Sequence, residues 1–412
     1  MKIITMTKNR TQLKTRVAAP SDELMRAFLR WTLICCAFAC LLAGSFSSAH
    51  AGPREQAKRI HDRLAGVPPS DTVLNDMESD VAGNDALSAA FTAMDNPNFY
   101  NVTLKNFATP WSNREQTVFA PLNDHTALVI GMVRDDVPFN TLFSADLLYV
   151  GAAGLGLPGY SMTNNDHYEQ MEAQSIDMQA NLVATTQSAV TDLPSTAAAG
   201  VWTTRALAEA FFIAGTNRAQ FRFAMLNHMC NDMEQVKETT YPPDRIRQDV
   251  SRSPGGDSRI FLNNCVGCHS GMDPLAQAFA YYNFDEDLGR IVYTDGVVQP
   301  KYFNNDATFA FGFRTPDDEW NNPWREGINA LLGWDTSRPA TGNGAASMGA
   351  ELANSEAFAS CQAEKVFKNV CFRDPVDTAD RNQIAAMVSS FQASNYSMKQ
   401  MFAEAAVFCM GD

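Results

Sequence analysis

Positive charge is scarce in this chain, and long apolar runs are nearly absent. Its 412 residues hold 32 Lys and Arg against 46 Asp and Glu, a formal net charge of −14. That balance argues against nucleic acid or anionic lipid as a partner, since both are held by basic surfaces. After residue 51 no apolar stretch approaches the ~20 residues of a spanning helix, so no membrane span is expected in the mature chain. There is no internal repeat, coiled coil or low-complexity tract. Beyond residue 51 there is only one C-x-x-C and no H-x-x-x-H, which removes the second ligand pair that a structural zinc site needs.

What is present begins with a leader. A basic segment is followed by one apolar stretch, residues 31–46, and then by Ala49-His50-Ala51, an A-x-A exit. This order reads as a secretory signal peptide cleaved after Ala51, with Met25 as an alternative start. About 16 apolar residues are too few to span a bilayer, and no leucine stands three residues before Cys40 to suggest a lipoprotein. Cleavage takes seven Lys/Arg and two Asp/Glu from the totals of 32 and 46, leaving a mature chain near −19. A periplasmic or secreted protein with that charge would steer encounter with a basic partner at low salt.

Of nine cysteines, three leave with the leader and two form the C-x-x-C. Cys230, Cys361, Cys371 and Cys409 remain, and an oxidising compartment permits two disulfides. Residues 354–374 lack Gly and Pro and read as one helix, which sets Cys361 and Cys371 about 15 Å apart at 1.5 Å per residue. They cannot bond to each other. Two pairings stay open, Cys230–Cys361 with Cys371–Cys409, or Cys230–Cys371 with Cys361–Cys409; four unpaired buried thiols are the alternative.

The fold class expected is mainly α. Residues 52–196 read as an N-terminal helical domain, with residues 141–150 and 181–190 at helical rather than alternating spacing. Residues 197–345 read as a second domain, the one that carries the C-x-x-C. Its helices are expected at 203–214, at 218–237, where Phe221, Met225, Met229 and Met233 make one apolar stripe, and at 275–282, opened by Asp273 as a capping carboxylate and Pro274. An irregular insertion lobe follows over 283–344, with Trp320 and Trp324 expected to pack beneath it. Residues 346–412 read as a C-terminal helical domain that completes this unit, with helices at 349–372, 377–393 and 397–409.

The chemistry lies in Cys265-Val-Gly-Cys-His269. Two thiols one helical turn apart can each add to one vinyl group of a haem lying on that turn, and His269 then offers an imidazole nitrogen to the iron. One covalently attached haem c is therefore expected, which makes 197–345 the haem-attachment domain and 346–412 the part that completes the haem unit. A thioredoxin-like dithiol would need a strand–helix setting that is absent. The sixth ligand must come from the opposite face. Met272 lies too close in sequence to pass around the haem edge and is read as packing. Met348, after the flexible Gly342-Asn-Gly344 and before a helix, is the candidate; Met387, Met398, Met401 and His228 compete with it. No catalytic residue is assigned. Gly154-x-Gly156-x-x-Gly159 matches a dinucleotide fingerprint, but Pro158 and a polar loop follow where a helix is required. Asp285-Glu-Asp287 reads as a solvated turn, and His61, His125 and His167 have no catalytic spacing.

The segment C-V-G-C-H-S-G-M-D-P-L-A-Q-A-F-A-Y-Y-N-F-D, from Cys265, resembles the motif C-x-x-C-H-x-x-M-D-P-L-G-F-A-x-E-x-F-D of the large exported cytochrome c domain proteins first recognised in planctomycetes. Gly200-Val-Trp-Thr-Thr-Arg-Ala-Leu, Gly215-Thr-Asn-Arg218 and Cys230 are similar to that family upstream. Glu351-Leu-Ala, Cys361-Gln-Ala-Glu-Lys-Val-Phe, and the stretch from Asp380-Arg381 through Phe391 to Tyr396 are similar downstream. The chain departs from the family at Ala276-Gln277 and at Tyr282-Asn283, and its lobe over 303–335 is longer. The resemblance implies haem binding, export and electron transfer, with no substrate. The expected function is an exported mono-haem cytochrome passing single electrons to a redox protein. The alternatives are a haem enzyme with an open distal site, peroxidase-like, or an accessory haem subunit of a larger oxidoreductase complex.

Overall fold

The computed structural model describes residues 25–26, 30–31, 51–213, 215–247, 250–251, 257–303, 307–308 and 310–411. The expected leader lies outside the described residues apart from Trp31 and Ala51 and the exposed residues 25, 26 and 30. The chain is mainly helical, with three two-stranded antiparallel sheets among the described residues. Ala51–Asp412 forms one compact unit.

Three amphipathic helices open it. Helix α1 (Pro53–Ala65) has proline at its first position and stops at Gly66 in the left-handed region (φ 71°), a conformation that costs glycine nothing. The N–H of Val73 donates to the Ser70 side chain to start α2 (Asp71–Ala82), and that of Ser88 donates to Asp85 to start α3 (Ala86–Met94). These helices pack on one another, and α1 and α3 pack on the last helix of the chain. Arg63 and Arg59 tie α1 to that end through the carbonyls of Val370 and Met410.

Helix α4 (Asp124–Arg134) is buried over nearly its whole length. Of the segments expected as helix, 141–150 holds strand β1 (Leu148–Gly151), and 181–190 holds strand β2 (Leu182–Thr185) followed by one helical turn at Gln187–Val190; the strands pair Leu148 to Thr185 through Gly151 to Leu182. Leu148 and Tyr149 are buried, so pairing and packing across the chain outweigh the local helical spacing. Helix α5 spans Asp166–Ala173. Helix α6 (Arg205–Phe211) begins two residues later than expected because the Asp124 carboxylate accepts the N–H groups of Arg205 and Ala206. One buried carboxylate thus serves the N-termini of both α4 and α6.

Helix α7 (Arg218–His228) ends nine residues short of the expected 237. Cys230 takes a left-handed φ of 51°, and the Asn231 N–H donates back to the Met225 carbonyl six residues earlier, which closes the end of the helix. Cys230 is pinned there by its disulfide to Cys361; the second disulfide joins Cys371 to Cys409. Of the two pairings left open, this is the first. The methionine stripe is core: Phe221, Met225, Met229 and Met233 are all buried.

Helix α8 (Ser258–Asn264) leads into α9 (Val266–Ala276), which runs through Asp273 and Pro274. The expected new helix at 275 is absent. Proline without an N–H removes one bond from the ladder, and the chain tightens to a 3-10 turn (Gln277–Phe279) just beyond it. The lobe contains hairpin β3 (Tyr282–Asp285) with β4 (Arg290–Tyr293), and β5 (Glu319–Asn321) paired with β6 (Thr341–Asn343). Trp320 and Trp324 are buried beneath it. The helix expected at 349–372 is two, α10 (Gly344–Ala353) and α11 (Glu356–Cys371), because the Ser355 hydroxyl caps Phe358 and restarts the ladder. Helices α12 (Thr378–Ala393) and α13 (Met398–Phe408) follow as expected. A single large core draws on residues from Ala57 to Ala406.

Candidate functional site

Cys265 stands at the N-cap of α9, and its carbonyl accepts the N–H groups of Cys268 (3.2 Å) and His269 (3.1 Å). The whole C-x-x-C-H is therefore the first turn of one helix, with Cys265, Cys268, His269 and Met272 on one face. Both thiols are free and partly exposed, whereas the other described cysteines are all in disulfides. Cys268 Sγ lies 3.4 Å from the Met233 carbonyl. Burial, and then Glu234, raise its pKa, so it rests as a thiol rather than an activated thiolate.

His269 is held by one nitrogen. Nδ1 lies 3.0 Å and 3.1 Å from the two oxygens of Asp273, one turn further on. Arg218, at the start of α7, grips the same carboxylate with Nε at 2.7 Å and Nη2 at 2.8 Å. Burial alone would raise the Asp273 pKa, but Arg218 and His269 hold it well below the carboxylate range, so it is ionised. Nδ1 therefore donates, and Nε2 has no hydrogen-bond partner among the described residues. The Phe261 ring stands 6.0 Å from the imidazole.

The back of α9 is clamped. The Glu238 N–H donates to the Gly267 carbonyl (2.9 Å) and the Ser270 hydroxyl to the Glu238 carbonyl (3.0 Å). A Cβ at Gly267 would sit 3.3 Å from Lys237, and one at Gly271 would fall 1.9 Å from Trp324 Nε1. Trp324 is 0% exposed, and its carbonyl accepts the Trp334 indole N–H (2.9 Å). Asn329 donates to the Val236 carbonyl (2.8 Å) and Tyr241 to the Glu326 carbonyl (2.7 Å), which locks the lobe to the 236–241 segment. The lobe is the brace that fixes the helix carrying the motif.

Met348 lies on α10, fully buried in the large core, on a helix that packs on the 3-10 turn after α9 and on β5. Met272 is buried as packing; Met387, Met398 and Met401 lie inside the C-terminal helices. His228 is wedged between Trp111 and Phe143, each ring centroid 4.9 Å away. It belongs to a buried polar group with His125 and Lys365, whose Nζ sits 3.6 Å over Trp111. Neither ring nitrogen of His125 has a hydrogen-bond partner among the described residues, and burial pulls its pKa down to about 3. His167 is spent on structure: Nδ1 donates to the Pro158 carbonyl (2.6 Å) and Nε2 accepts the Gly151 N–H (2.9 Å). The glycine-rich loop 151–159 borders a cavity of about 420 Å³ that is also lined by His167, in the first turn of α5.

The donor set of the first α9 turn fits a covalently attached haem: two free thiols one turn apart, and an imidazole with one nitrogen oriented and the other unengaged. Asp273 and Arg218 were not legible as site residues in the sequence. The i,i+4 spacing of His269 and Asp273 was a signal for the first, but nothing local marks Arg218. No group of three or more His, Cys, Asp or Glu able to hold a bare metal ion occurs among the described residues, and no described helix is long and apolar enough to cross a membrane. No family model, curated protein or solved structure matches this chain.

Proposed function

We propose that the chain is an exported mono-haem c-type cytochrome that passes single electrons. One observation carries the reading: on a single helical turn, the only free thiols among the described cysteines stand beside a histidine whose Nδ1 is fixed and whose Nε2 is open. Cys265 and Cys268 form the two thioethers, His269 is the proximal ligand, and Met348 is offered as the sixth. When bound, the haem supplies a one-electron Fe(III)/Fe(II) couple. The protein's own part is to hold the proximal imidazole in one tautomer through Asp273 and to keep α9 rigid against Trp324. The two disulfides support export to an oxidising compartment. The acidic balance favours a basic redox partner.

A second reading, a haem enzyme with an open distal face, is favoured by the carboxylate on the proximal histidine, which directs electron density toward the iron. A reduced-minus-oxidised spectrum of the exported protein with and without carbon monoxide decides between them. A low-spin spectrum with a methionine-to-iron band and no response to carbon monoxide supports the carrier. A high-spin spectrum that shifts refutes it in favour of the enzyme.

A further inference from the structure

Resting on the haem reading above, we propose that Asp273 is a positioning residue that sets the reduction potential by hydrogen bonding to His269, and that Arg218 attenuates it. The carboxylate approaches Nδ1 with both oxygens, at 3.0 and 3.1 Å. It is almost buried, at 7% side-chain exposure, so water does not screen the bond. An ionised acceptor on Nδ1 makes the imidazole a stronger donor through Nε2. Of the two iron states, a stronger donor favours Fe(III), because that ion carries the greater charge. The step concerned is the gain of one electron by Fe(III) to give Fe(II), with no bond made or broken in the protein. Asp273 therefore lowers the potential.

Arg218 works against it. Its guanidinium takes both carboxylate oxygens, at 2.7 and 2.8 Å, and draws charge away from the Nδ1 proton. The pair is built from two distant parts of the chain, α7 and α9, and the carboxylate faces the motif histidine rather than solvent. A merely structural ion pair would not need that aim.

The test compares midpoint potentials of the wild type, Asp273→Asn, Arg218→Gln and Asp232→Asn. Asp232 supplies the control, since it acts on Cys268 through space yet makes its own pair with Arg222 and does not touch His269. Asp273→Asn is expected to shift the reduction equilibrium at least tenfold toward Fe(II), about 59 mV for one electron. Arg218→Gln should shift it at least threefold the other way, and Asp232→Asn less than twofold. An Asp273→Asn potential within twofold of the wild type, or an equal shift from Asp232→Asn, overturns the proposal while leaving the haem reading intact. If Asp273→Asn does not retain haem, Arg218→Gln still decides, because an unchanged or raised potential overturns the proposal. A wild type exported without covalent haem refutes the parent reading and this inference with it.

Discussion

Substituting Gly271 by alanine should destabilise the protein, although alanine is the better helix former. In a helix interior the exchange alone would favour alanine by about 1 kcal/mol. At this position the new methyl would fall 1.9 Å from Trp324 Nε1 and 2.4 Å from Cε2, more than 1 Å inside ordinary contact. The indole has no room to withdraw. It is fully buried, tilted against Phe221 at 5.7 Å, and its backbone carbonyl holds Trp334. Overpacking of this kind costs about 1–3 kcal/mol, and so direct a collision belongs at the upper end. The net expectation for Gly271→Ala is a loss of about 2 kcal/mol in guanidinium unfolding followed by circular dichroism. Trp324→Ala removes the obstacle and by itself costs about 3–5 kcal/mol. In that background the sign should reverse, with Gly271→Ala stabilising by up to about 1 kcal/mol. Equal losses in both backgrounds would refute the claim that the lobe tryptophan braces α9.

The two disulfides should contribute unequally. Loop-closure entropy for separations of 131 and 38 residues gives about 5 kcal/mol for Cys230–Cys361 and about 4 for Cys371–Cys409; serine pairs measured by denaturant unfolding that reverse this order contradict it. His125 is buried neutral with its pKa pulled to about 3, so between pH 6.5 and 3 the unfolded chain binds a proton there that the folded chain does not. Stability should therefore fall as pH drops through that window, by about 2 kcal/mol from this residue between pH 7 and 5. His125→Gln should reduce the loss by that amount in urea unfolding at the two pH values, and an unaltered pH dependence refutes the linkage. Met348→Ala should open the sixth site, so that the reduced variant binds carbon monoxide and the wild type does not. It should also cost about 2–5 kcal/mol, since Met348 is fully buried. Identical carbon monoxide behaviour removes Met348 as a ligand.

Legibility in the sequence followed the range of the interactions concerned. The helices at 378–393 and 398–408 could be read because Asp377 and Ser397 announce them locally. The placing of C-x-x-C-H on one helical turn could be read because its spacing lies within that turn. The strand at 148–151 could not, since its partner is 182–185 and no local feature names that pairing. The early end of α7 depends on Cys230 reaching Cys361, a contact 131 residues away. Asp273 was read as a helix cap because Asp-Pro usually opens a helix. In the fold the helix already runs through it, and its carboxylate is turned to His269 and Arg218 instead. The exclusion of a Cys361–Cys371 bond rested on helix rise alone and agrees with the fold; the choice between the remaining pairings needed the third dimension.

The most direct test of the central claim is the mass of the exported chain, purified from a host able to mature c-type cytochromes, beside the Cys265→Ala/Cys268→Ala variant. The wild type is expected to be heavier than its mature polypeptide by one haem, with colour surviving acid–acetone extraction, and the variant to stand at the polypeptide mass and lose its colour. A wild type at the bare polypeptide mass, or a variant that keeps covalent haem, would contradict it.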